Sequence, residues 1–293
     1  MFDSLPVVPA SDALQQSLGF ERALAAVGSQ CQRLDDGTLL LQRRWGPVRA
    51  HMLARVTVTP ERLAQLRRAG VRGPVILSPE TPVDTRTLPA LPLVSPNTLA
   101  ALDLTPDLEA LRAGLHQKWR NRLKHAEKQG LRVTRQNLPD QPDHWLLVAD
   151  LAQQAARRYR GWPPALTCAY GRENPGDAKL FTAYIGRAPV AGVVILRHGA
   201  CATYHIGHTR PSGRMTSAHC LLLWQAICWL KRKGVAHFEL GLIDTEDGAG
   251  LARFKLGTGA TVRALGGTWL WWPPLTRLAR PLARLDRTLM QTR

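Results

Sequence analysis

The stretch that decides the fold runs from KLFTAYIGRAPVAGVVIL (179–196) through ATYHIG (202–207), HTRPSGRMTS (208–217) and AHCLLLWQAICWLKRK (218–233) to AHFELGL (236–242). The first run is rich in β-branched and apolar residues. It is broken at Gly186-Arg187-Ala188-Pro189, a turn composition, so it reads as a hairpin. A third strand leads into a polar loop, then into a long apolar helix stopped at Gly234, then into a further strand. Strand, strand, strand, helix, strand is an α/β order. Its one long helix starts just past a loop carrying Arg210, Gly213 and Arg214. The first amides of a helix lack intrahelical acceptors and carry partial positive charge, so this unit reads as an anion site.

Working outward, three acids, Asp244, Glu246 and Asp247, follow the last of these strands, and GAGLARFKLGTGA (248–260) follows them. VRALGGTWLWW (262–272) reads as a final strand. From Leu275 onward, Leu278, Leu282, Leu285 and Leu289 repeat with helical spacing opposite Arg277, Arg280, Arg284 and Arg287, a basic amphipathic helix. Such a helix either packs on the domain or lies at an anionic membrane surface.

On the other side, Thr105-Pro106-Asp107 starts and Gly130 stops a helix whose apolar stripe is Leu108, Leu111, Leu115, Trp119, Leu123 and Ala126. Lys118, Arg120, Arg122 and Lys124 cluster on its other face, as a solvated surface or as phosphate or nucleic-acid contacts. The segment GWPPALTCAYGRENPGD (161–177) reads as a Gly/Pro-rich connection. Upstream, Ser11 or Asp12 caps a helix to about Val27. TLLLQRRW, VRAHMLARVTV and GPVILSPE read as strands, PERLAQLRRAG as a helix capped by Thr59, and LAALDL as the last strand of this half.

The composition is that of a globular α/β protein: 293 residues, 45% hydrophobic, 21% charged, with a formal charge of +17 that favours anionic partners. The five cysteines show no metal-type spacing, which fits free thiols in a reducing compartment and predicts no metal. No basic-then-apolar leader and no spanning apolar run is visible, so the expected location is cytoplasmic, with peripheral contact at the inner face of the membrane if the terminal helix binds lipid.

No GxSxG, HExxH, P-loop or GxGxxG pattern appears. The remaining unit suits acyl transfer to an amine, which needs an anchored donor, a proton acceptor and a group to meet the oxyanion. Arg210, Gly213, Arg214, Ser217 and Arg253 are candidates for donor phosphate. His205, His208, Glu239 and Asp244 are candidates to accept the proton, and Lys255 or Arg253 to meet the oxyanion.

The string from YHIGHTRPSGRMTS through the "Glu-Leu-Gly" strand to "Arg-Phe-Lys", with KWRNRLKHAEKQGLRV (118–133) ahead of it, resembles the C-terminal module of FemAB-type proteins. These form a branch of the GNAT superfamily related to BioF2-like acetyltransferases, and are known from bacteria. The resemblance covers roughly 115–272. It implies two tandem GNAT-like domains with mixed central sheets flanked by helices: a degenerate first domain over 1–104, an acyltransferase domain over 105–273, and the basic helix over 274–293. In FemAB-type enzymes the lysine of the Phe-Lys phrase, here Lys255, is linked to aminoacyl transfer. The implied donor is acyl-coenzyme A or aminoacyl-tRNA, and the acceptor a primary amine, such as one on a cell-envelope precursor. Arg210-Pro211-Ser212-Gly213-Arg214-Met215 matches the GNAT pyrophosphate signature only in part, because Met215 replaces its last small residue. The rival reading is a non-catalytic protein of this fold that binds nucleic acid or an anionic membrane through its basic faces.

Overall fold

A computed structural model of the chain describes residues 13–84, 88–244 and 248–275. The caps Ser11 and Asp12, the acids Glu246 and Asp247, and the basic helix expected from Leu275 onward fall outside these residues, apart from the backbone of 275. In chain order the elements begin with α1 (Leu18–Ala26), β1 (Cys31–Arg33), β2 (Leu39–Trp45), β3 (Val48–Val56), α2 (Pro60–Arg68), β4 (Val75–Pro79), β5 (Leu91–Val94) and β6 (Thr98–Asp103). They continue with α3 (Leu108–Ala113), α4 (Gln117–Glu127), β7 (Arg132–Asn137), α5 (Trp145–Arg157) and α6 (Pro164–Glu173). Then come β8 (Ala178–Ile185), β9 (Ala188–His198), β10 (Cys201–Thr209), α7 (Pro211–Met215) and α8 (Ala218–Arg232). β11 (His237–Ile243), α9 (Ala249–Leu256), β12 (Thr261–Ala264) and β13 (Thr268–Trp271) complete the set.

These elements group into two units, one drawn from 1–16, 28–98 and 264–293, the other from 17–27 and 99–263. In the first, a six-stranded mixed sheet has the order β1-β2-β3-β4-β13-β5. β3 and β4 are parallel and α2 crosses between them. Thr59 caps α2 by accepting the Arg62 amide, with Pro60 in the first turn where its missing N–H is not needed. Leu40, Leu53, Leu66, Val75, Leu77 and Trp271 form the core, each large side chain worth about 1.5–3 kcal/mol of burial. TWLW does not finish the second half, as read from sequence. It lies antiparallel between β4 and β5, Trp269 opposite Leu77 and Trp271 opposite Val75.

In the second unit, a seven-stranded mixed sheet has the order β12-β6-β11-β10-β9-β8-β7. β7 to β10 run antiparallel, the expected hairpin being β8–β9. LAALDL forms β6 and belongs to this sheet. Alternation sends Val193 and Ile195 of β9 to a core with Trp119, Leu123, Leu222 and Trp229 from α4 and α8. On the other face, Trp145 and Leu146 of α5 lie against Gly192. α1 packs on α6, where Phe20 stacks on Trp162 with ring centroids 5.0 Å apart and Asn174 Nδ2 donates to the Gly19 carbonyl at 3.0 Å.

Three further expectations are corrected. α1 is capped by Ser17, whose hydroxyl accepts the Phe20 amide. The helix expected over 105–130 is two helices, because at Gly114–His116 the chain turns aside and the His116 amide donates to the Gly257 carbonyl. The buried stripe Leu111, Leu115, Trp119, Leu123 and Ala126 nonetheless runs through both. The segment 161–177 is no open connection: Pro163 and Pro164 start α6, which buries Leu166, Thr167, Cys168, Ala169 and Tyr170.

Candidate active site

The site is built where β10 and β11 part. These strands are parallel and pair through Cys201–Thr203 opposite His237–Glu239. β10 then bulges between Tyr204 and Ile206 and continues to Thr209 alongside β9, while β11 continues to Ile243. A bulge re-aims the strand and ends its pairing. The first unit has the same strand–helix–strand crossover, but there pairing runs to Val56 opposite Pro79. Arg55, the residue at that bulge, grips Glu80, its Nη2 donating to Oε1 at 3.1 Å. The parting of parallel strands is therefore a property of the second unit. A cavity of about 190 Å³ in the first unit, lined by Thr57, Thr59, Leu63 and Pro82 among others, includes none of the candidate site residues.

Lys255 lies at the parted end of β11. Only 7% of it is exposed, and its ammonium donates to the Leu242 carbonyl at 2.6 Å. Burial pushes its pKa down to about 8. The neighbouring Phe254 turns to the other side of α9, between Trp119 (6.0 Å) and His219 (5.2 Å, edge-on). The Phe-Lys pair thus connects the start of α8 to the end of β11.

His219 is the second residue of α8 and was not found from sequence. Its Nε2 shares a hydrogen bond with the Tyr204 hydroxyl at 2.9 Å and its Nδ1 one with Thr209 Oγ1 at 2.7 Å. Burial holds its pKa at about 4 and pushes the Tyr204 phenol well up. Only Gly fits at 207, since a Cβ there would sit 1.6 Å from the Tyr204 oxygen. That glycine, inside a strand, was the one signal of the network in the sequence.

His205, at the bulge, shares a hydrogen bond with Thr167 Oγ1 at 2.9 Å and lies against Trp162 with centroids 4.6 Å apart. Burial lowers its pKa to about 4. His208 meets the edge of Trp145 at 6.5 Å, and burial together with Arg210 and Arg214 lowers its pKa. Glu239 is buried and accepts from Arg263 Nη2 at 2.7 Å. Asp244 is exposed at the end of β11.

The loop read as a phosphate nest contains α7, and this corrects its chemistry. The amides of Arg214, Thr216 and Ser217 donate to Arg210, Ser212 and Arg214 carbonyls. Gly213 is buried, and a Cβ on it would lie 2.4 Å from the Val190 carbonyl, so its role is close packing on β9. Arg210 lies over the Trp145 ring at 5.3 Å, and Arg214 is exposed. Ser217, at φ 53°, precedes α8, whose first amides have no acceptor inside the helix. Arg253 is exposed on α9.

Of the α4 cations, Lys118, Arg122 and Lys124 are exposed, while Arg120 turns in and donates to the Leu115 carbonyl at 3.0 Å. α4 runs beside the start of α8: His125 Nε2 lies 3.2 Å from the Met215 carbonyl, and the Arg122 charge acts on Cys220. The structure thus places Arg122 by the α8 start. It sets Lys255 at β11, and His205 and His208 toward α6 and α5.

The fold resembles the crystal structure of FemX, with a TM-score of 0.68 at 12% identity over 93% of this chain and 94% of that one. It also resembles the C-terminal domain of an Agrobacterium fabrum protein assigned as a lysylphosphatidylglycerol synthetase, with a TM-score of 0.53 at 14% identity over 94% and 93%. A conserved protein of Bacteroides thetaiotaomicron scores 0.55 at 13% identity over 88% and 90%. At such identities the likeness is one of fold. Among curated proteins none matches. The family model for the acetyltransferase (GNAT) domain matches residues 113–259, which take in the parted strands, α8 and Lys255. The chain belongs to the GNAT acetyltransferase domain family.

Proposed function

We propose that the protein is an N-acyltransferase that moves an acyl group from a phosphate-bearing donor to a primary amine. The observation that carries this reading is the parting of β10 and β11 after three residue pairs, with the α8 start on one side and the buried Lys255 ammonium on the other. An acyl carbonyl held between the parted strands lies within the field of that ammonium, which favours the oxyanion of the tetrahedral state. The neutral amine attacks directly, and no nucleophilic side chain is required.

Between acyl-coenzyme A and aminoacyl-tRNA, the second fits the surface better. The pyrophosphate grip of a loop depends on its backbone amides, and here three of them are used inside the chain. The cations are instead exposed, Lys118, Arg122 and Lys124 on α4, Arg214 on α7 and Arg253 on α9, as contacts to a polyphosphate strand would be. The likeness of fold to a lysylphosphatidylglycerol synthetase domain supports an aminoacyl donor and an acceptor of the cell envelope.

Thermal unfolding with acetyl-coenzyme A, charged tRNA and uncharged tRNA tests this. A donor at about a hundred times its Kd stabilises by about 2.7 kcal/mol. Charged tRNA alone should do so, losing its effect steeply with salt. Stabilisation by acetyl-coenzyme A alone would reassign the donor. Stabilisation by uncharged tRNA equal to that by charged tRNA, with no turnover, would favour a binding protein, and no stabilisation by any of the three would sink the reading.

A further inference from the structure

Asp150 of α5 is a half-buried carboxylate in a chain of formal charge +17, and among the described residues no Lys or Arg pairs with it. Neutral donors hold it instead. Gln154 Nε2 donates to Oδ2 at 2.7 Å and the Tyr159 hydroxyl to Oδ1 at 3.4 Å. Gln154 in turn accepts the Gly161 amide at 2.8 Å, which folds the segment after α5 back over the same place, with Arg158 at φ 55° making the turn. The charge that does act on Asp150 is the imidazole of His208. Burial raises the carboxyl above its ordinary value, the sign of an anion lacking a cation.

His208 comes from β10 beyond the last residue paired with β11, so it belongs to the parted segment. Its ring meets the edge of Trp145, and the Arg210 guanidinium lies over the same indole. Arg210 and Arg214 from the turn, with burial, oppose its protonation, and Asp150 from α5 favours it. A carboxylate without a cation, an unprotonated imidazole and the rings of Trp145 and Tyr159 therefore meet beside the parted strands.

Resting on the acyl-transfer reading above, we propose that Asp150 receives the ammonium of the acceptor amine and that His208 takes its proton. The Asp150 carboxylate attracts a primary ammonium and not its acylated product, which has lost the charge. Transfer of one proton to the His208 imidazole frees the nitrogen lone pair. The N–C bond to the acyl carbon forms as the carbonyl electron pair moves to oxygen, and collapse of that tetrahedral state breaks the C–O or C–S bond to the donor. The leaving oxygen or sulfur takes a second proton from the attacking nitrogen, and imidazolium returns its own to solvent. Asp150 is a specificity residue and His208 the base.

The test uses the full chain and ethanolamine, L-lysine and glucosamine as probes, each beside its N-acetylated form, the lysine acylated at both nitrogens. NMR follows the His208 Cε1–H signal, assigned with His208→Gln. The ammonium probes should shift that signal saturably and the acetylated forms should not. Asp150→Asn should weaken the effect by about tenfold or more, and Asp150→Glu should restore part of it. The same binding in wild type and Asp150→Asn, or no shift with any probe, would overturn the proposal. Donor stabilisation measured on Asp150→Asn keeps the two readings apart. If it equals that of wild type while the amine effect is unaltered, only the acceptor assignment fails; if no donor binds wild type, acyl transfer itself fails.

Discussion

The Tyr204 hydroxyl and His219 Nε2 lie 2.9 Å apart in the space a side chain on residue 207 would fill. The strand that parts from β11 is thereby fastened to the first turn of α8 through a glycine. Gly207→Ala drives a Cβ into the phenol and should cost about 3 kcal/mol of stability in urea unfolding, at the upper end of overpacking effects. In a Tyr204→Leu background the same change should cost much less, and an equal cost in both would refute the steric account.

Lys255 gives a prediction whose sign depends on pH. Its pKa is 10.5 in the unfolded chain and about 8 in the folded one. Between those values the unfolded state holds more protons, so this residue's contribution rises with pH. Lys255→Met should be the more stable protein below pH 8, and its advantage should shrink as pH climbs toward 10.5. Turnover should fall by about a hundredfold from loss of oxyanion stabilisation. A variant with wild-type turnover would remove Lys255 from the chemistry.

His205 and His219 act in the acid range. Both have folded pKa values near 4 against an ordinary 6.5. The unfolded chain binds more protons between those limits, so stability is full above about pH 6.5 and is lost as pH falls toward 4. His219→Gln should flatten that slope in unfolding curves taken across the window. An unchanged slope in both His205→Gln and His219→Gln would show that neither ring is held neutral.

In the first unit, Glu80 is buried with Arg55. Glu80→Ala leaves the guanidinium without this partner and should cost about 3–5 kcal/mol. Equilibrium denaturation measures it, and a change within half of that range's lower end would mean water reaches Arg55 already.

The order of elements from 178 to 243 was legible because alternation, turn residues and one long apolar helix are local signals. So was the Phe254-Lys255 phrase, though not that its two side chains face apart. The break at Gly114–His116 was not legible, since the stripe Leu111, Leu115, Trp119 keeps its spacing across it and the cause is an acceptor on Gly257. α6 was hidden because Pro163-Pro164 and Gly171 read as loop punctuation, while the fit of Gly171 against Leu138 and Ala178 is tertiary. Asp150 sits far from His208 in sequence, and Glu239 meets Arg263 only across β6. Polar groups brought together by sheet order leave no periodic trace.

β13 is an inner strand of the first sheet, yet it follows every strand of the second sheet in the chain, and α1, which precedes the first sheet, belongs with the second unit. During synthesis β5 has no neighbour until Thr268–Trp271 leave the ribosome. The first sheet must therefore wait, incomplete, while about 170 residues of chain emerge (about 9–35 seconds at 5–20 residues per second), and a single cut in the chain cannot separate the two units.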